Sequence, residues 1–157
     1  VRVRRAPRPP SRLRPHLLAL LGGVVAAAAG AALLASPASV TVRLGAGGYE
    51  IGGARLVPAG PGTYRGPGGS ALLMVHAGGA TRAGASAVMN GSHVTGACTL
   101  PDGAASEACR FTVAGRQIAA TDTWTGGGWS RRYDDGRTAR IEVSGGRPLP
   151  VPFPVGR

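Results

Sequence analysis

With 157 residues and a formal net charge of +11, carried by 18 arginines and no lysine, the chain suits one modest domain and invites a polyanionic partner. Its 27 glycines and 13 prolines, against two Phe, two Trp and three Tyr, argue against long helices and for short strands joined by many turns. The charge alone does not imply nucleic acid: Arg2, Arg4, Arg5, Arg8, Arg12 and Arg14 precede a long uncharged stretch, and beyond it 12 arginines face 7 acids, an ordinary surplus for solubility.

Residues 1–15 form a basic tail, expected to remain in the cytoplasm, and residues 16–36 are expected to form a transmembrane helix or signal sequence. Leu17 to Ala35 is free of charge over 19 residues, nearly enough at about 1.5 Å per residue to cross a hydrocarbon core of about 30 Å. Arginines on its leading side only set the N-terminus inside and the rest outside. Retention as a single-pass membrane anchor is favoured. Secretion after cleavage near Ala38 is the alternative, since Ser36-Pro37-Ala38 offers the small residues that a signal peptidase requires.

Residues 39–157 are expected to form an extracytoplasmic, mainly β domain, a small antiparallel β-sandwich or open barrel. Val40, Val42 and Leu44 alternate with polar residues as in a half-buried strand. Tyr49 to Ile51, Arg55 to Val57 and Ala71 to Val75 are further short strands, with Pro58 to Gly69 read as loop and Ala83 to Val94 left between strand and irregular structure. Cys98 and Cys109 stand alone in a segment expected to meet an oxidising compartment, so a disulfide is expected.

From Cys109 to Val143 three turns fix a four-stranded meander. A two-residue Ala114-Gly115 hairpin sets Phe111 against Ile118 and Cys109 against Ala120. A Thr125 to Gly128 loop sets Trp124 against Trp129, Asp122 against Arg131 and Ala120 against Tyr133. An Asp134-Asp135-Gly136 loop sets Trp129 against Ile141 and Arg131 against Ala139. These registers sort one dry and one wet face. Asp122 and Arg131 break the dry face and are expected to form a structural ion pair near the sheet rim. Arg110, Arg132 and Arg140 with neighbouring threonines make the wet face a candidate anion-binding surface. The alternating run Pro148 to Val155 reads as a terminal edge strand whose prolines block further pairing, or else as a polyproline ligand for a partner domain.

Chemistry is thin. His76 and His93 are the candidate bases of the outer domain, and no elbow around Ser70, Ser86 or Ser92 marks a nucleophile. No metal set and no cofactor motif stands out. Catalysis is therefore not expected. The expected role is a binding or structural module at the cell envelope, anchored through Leu17 to Ala35, with an envelope protein or anionic cell-surface polymer as partner and no nucleic acid. A secreted protease inhibitor using the Cys98 to Cys109 loop is the alternative, and a hydrolase a more distant one.

Overall fold

A computed structural model of the chain describes residues 39–156. The expected tail, membrane segment and cleavage site lie outside these residues, among which no helix is long and apolar enough to cross a membrane. Eleven strands follow one another as β1 (Ser39–Gly45), β2 (Gly48–Ile51), β3 (Ala54–Gly60), β4 (Thr63–Arg65), β5 (Ala71–Ala77), β6 (Ala80–Met89), β7 (Ser92–Pro101), β8 (Ser106–Val113), β9 (Arg116–Trp124), β10 (Gly128–Tyr133) and β11 (Thr138–Val143). Each pairs antiparallel with the next, and β1 pairs with β11 to close a barrel. An odd number of strands in an up-and-down meander leaves the first and last running the same way. The closing pair is accordingly parallel, with Val40 opposite Ile141 and Val42 opposite Val143.

Closure corrects the expected sandwich or open barrel. The strands before Cys98 do not form a second layer over the meander; they extend the same sheet until it meets itself, which removes both edges. The loop expected at Pro58 to Gly69 contains the end of β3 and all of β4. The region left undecided, Ala83 to Val94, is the middle of the longest hairpin, two ten-residue strands joined at Asn90-Gly91.

The meander from Cys109 to Val143 has the expected registers throughout: Phe111 faces Ile118, Trp124 faces Trp129, Asp122 faces Arg131, and Trp129 faces Ile141. The dry face becomes the interior. Cys109, Phe111, Ile118, Ala120, Trp129, Tyr133, Ala139, Ile141 and Val143 are buried together with Val42, Tyr49, Ile51, Leu56 and Leu72 from the first half.

Eight strands already give a barrel wide enough for side chains to fill, and the width grows with strand number. Eleven strands leave an axis to be occupied. The central interior positions of β6 and β7 are small, with Ala83, Ala85, Ala87, Gly96 and Cys98, which adds room on that side. The occupant is the segment of the same chain that follows β11. After a turn at residues 144–147, residues 150–155 are buried, and Val151, Phe153 and Val155 belong to the core. The run expected as an edge strand lies inside the sheet and belongs to no strand. A closed barrel has no edge to block. The prolines instead hold the segment extended, because each fixes its own φ and bars the residue before it from helical geometry.

The two-residue hairpins Asn90-Gly91 and Ala114-Gly115 hold positive φ at both positions (50° and 75°, 48° and 78°), as a tight turn matched to sheet twist requires. Ala114 is the poorer fit, since a Cβ in this region costs on the order of 1 kcal/mol and Asn tolerates it better. Ala114→Asn is expected to raise the thermal midpoint by a few degrees and Asn90→Ala to lower it by a similar amount, about 0.5 to 1 kcal/mol each way. Thermal denaturation of the two variants checks both signs.

Candidate functional site

The most specific chemistry among the described residues lines the barrel axis. Along the C-terminal segment the wall presents donors to backbone carbonyls. Trp129 Nε1 donates to Leu149 O (2.8 Å), Tyr49 OH to Pro150 O (3.0 Å), Arg131 Nη2 to Val151 O (2.7 Å), Arg131 Nη1 to Phe153 O (2.6 Å) and Tyr133 OH to Val155 O (2.6 Å). In the other direction, Val151 N–H donates to Glu107 Oε1 (3.3 Å) and Val155 N–H to Tyr133 OH (2.8 Å). Gly96 lets the segment pass: a Cβ there would stand 2.0 Å from Pro152 O. Ring contacts complete the seat, with Tyr49 against Phe153 at 6.2 Å and Arg131 Cζ 4.8 Å above the Phe111 ring.

Arg131 organises this site. Alternation along β10 turns it inward between Trp129 and Tyr133, and the register with β9 sets Asp122 opposite. The pair is bidentate, Nε to Oδ1 and Nη2 to Oδ2 at 2.7 Å each, with both side chains fully buried. It therefore sits in the interior and not at the sheet rim as expected, because closure leaves this part of the sheet no rim. Burial pulls the guanidinium toward its neutral form, but the hydrogen bonds and charge of Asp122 outweigh it and leave the pKa above its ordinary value.

Glu107 is the third interior ionisable group. It lies opposite Asp122 across β8 and β9 and is 2% exposed. Burial first, then the hydrogen bond and charge of Asp122, push its pKa up to about 9. As a carboxylate it would hold a buried Oε2 with no donor; as the neutral acid it donates to Asp122 while Oε1 accepts from Val151. One cation, one anion and one neutral acid make the interior electrically balanced at neutral pH. Tyr49 is raised as well, by burial and by the nearby Glu107.

Cys98 and Cys109 form the expected disulfide, joining directly paired positions of β7 and β8. Its sulfurs face the interior, 3.4 Å from Val151 O and 3.8 Å from Asp122 Oδ2. They stand near Glu107, but sulfurs bonded to each other offer no thiolate to a metal. The hairpin tip it braces, residues 101–105, lies at one barrel end. His76 Nε2 bonds the Asp102 carboxylate at 2.9 and 3.1 Å in an exposed pair, and His93 lies opposite Val88 on the outside. Neither reaches Asp122, which Arg131 engages. Arg110, Arg132 and Arg140 are exposed on the outer faces of β8, β10 and β11.

Glu107 and the seating role of the C-terminus escaped the sequence reading. The first had a signal: extending the pairing of Cys109 with Ala120 by two residues sets Glu107 opposite Asp122. The second had a weaker one, since alternating prolines fit an edge and a dry channel equally well until closure is known.

Arg131→Met should destabilise the fold by about 3 to 5 kcal/mol, because it strands a buried carboxylate, and pairing it with Asp122→Leu should cost less than the two single changes together. Denaturant unfolding of the three variants measures this. Glu107 holds a proton in the folded state that the unfolded chain releases above its ordinary pKa of 4.5. The contribution of Glu107 to stability is thus whole below about pH 4.5 and falls as pH rises toward 9, by up to about 1.4 kcal/mol per unit. Glu107→Gln, which keeps both the donor and the acceptor, should remove that slope in unfolding curves recorded between pH 5 and 9. Comparison with protein-family models, with curated proteins and with solved structures finds no match to this chain.

Proposed function

We infer that the barrel is an exported binding module of the cell envelope, held at the membrane through Leu17 to Ala35, and that its outer arginines take an anionic polymer. The observation that carries this reading is a contrast between two parts of the outer surface. On β1 to β3 the charges are matched: Glu50 stands between Arg43 and Arg55 and bonds both, and these hydrogen bonds, that of Arg55 foremost, lower its pKa. On β6 to β11, Arg82, Arg110, Arg132 and Arg140 have no ion-pair partner among the described residues.

Hydroxyls flank Arg82, Arg132 and Arg140, whereas Arg110 lies between Ala97 and Ala119. Arg82, Thr99, Ala108, Thr121, Arg132 and Thr138 follow one another across six paired strands, while Arg140 lies opposite Ser130. Guanidinium forks beside hydroxyl donors suit phosphate or carboxylate groups repeated along a chain. An outer strand face bearing these charges is also unlike the apolar band of a membrane-spanning barrel, which leaves it available to a water-borne or wall-borne partner. The interior disulfide fits maturation in an oxidising compartment.

The protein should be retained on a heparin column, and replacing Arg110, Arg132 and Arg140 together by Ala should bring it off at clearly lower salt. A control with Arg116, Arg137 and Arg147 replaced changes the net charge equally and should shift elution less. Equal elution of the wild type and the first triple variant would end the polymer reading.

A further inference from the structure

We propose that the barrel lumen is a peptide-binding site selective for an extended segment with proline at every second position, and that residues 148–155 are its resident ligand, separable from the wall that holds them. The balance of hydrogen-bonding groups supports this. The wall spends five side-chain bonds on carbonyls at Leu149, Pro150, Val151, Phe153 and Val155. It offers acceptors to N–H groups at two points, Glu107 and Tyr133. An ordinary extended chain brings as many N–H groups as carbonyls into such a channel, and the surplus N–H groups would be buried without partners. Proline at 148, 150, 152 and 154 removes the N–H while leaving the carbonyl.

The channel is also cut to a backbone. Gly96 leaves no room for a Cβ beneath Pro152 O, while Phe153 packs at a tilt against Tyr49 and Val151 and Val155 are 0% and 2% exposed. The tether contributes little by comparison: residues 144–148 are exposed, and the seven side-chain bonds just described all fall from Leu149 onward. Recognition thus resides in contacts that do not require the peptide to be covalently joined to β11. The ligand class is an X-Pro repeat with apolar residues at X, read through its carbonyls.

The test uses the full chain in detergent, with a site-specific protease sequence inserted between Gly145 and Gly146 and cut after folding. The released peptide should stay with the barrel through gel filtration. The cleaved protein is then unfolded and refolded with equal amounts of synthetic Pro-Leu-Pro-Val-Pro-Phe-Pro-Val and of the same peptide carrying Ala for the prolines matching Pro150 and Pro152. Mass spectrometry of the captured peptide should show a preference of at least about ten-fold for the proline form, since each added N–H lacks a partner. Loss of the peptide on cleavage, equal capture of the two forms, or capture of neither overturns the proposal.

Discussion

The fork formed by Arg131 joins the two parts of this molecule that sequence order keeps apart. One edge of the guanidinium is fixed to Asp122 on the neighbouring strand, and the remaining hydrogens hold the carbonyls of Val151 and Phe153. A charge this deep is tolerable only because every element around it answers it: the paired carboxylate, the faces of Phe111 and Tyr133, and the polar backbone of the axial segment. In turn, that backbone can lie in a dry barrel only because Arg131, Tyr49, Trp129 and Tyr133 supply donors. The wall and its filling are mutually dependent, and neither forms a sensible core alone.

Much of the wall was legible because side-chain period and turn chemistry constrain each other. Ala114-Gly115, Thr125 to Gly128 and Asp134 to Gly136 each allow few registers, and a wrong choice in any one would have turned Phe111, Trp129 or Ile141 to solvent. The same logic set Asp122 opposite Arg131 without knowledge of the third dimension. What it lacked was curvature. Alternation distinguishes one face of a sheet from the other but gives no measure of whether the sheet closes, so the rim, the second layer and the edge strand were inferred for a sheet that has none of them. Asn90-Gly91, a strong turn signal, lies inside the stretch Ala83 to Val94 that alternation left undecided, and it closes the longest hairpin.

Inside and outside divide the polar chemistry by purpose. The interior ions are matched one to another and to backbone groups, with Glu107 kept neutral by its surroundings. Outside, β1 to β3 carry compensated charge and β6 to β11 carry arginines beside hydroxyls. The inward groups Arg131, Tyr49, Trp129 and Tyr133 hold the protein's own chain, while the charge outside is unevenly distributed between β1 to β3 and β6 to β11.

Because the axis is made by residues that follow all eleven strands in the sequence, the order of synthesis runs against the order of need. A polypeptide emerging from the ribosome has all eleven strands in hand before the segment they must surround exists. Until that segment is free, Arg131, Tyr49 and Trp129 have water as their alternative partner and the sheet has reason to stay open. Any product that stops after β11 and before residue 148 should then be a substrate for quality control and not a slightly shorter barrel.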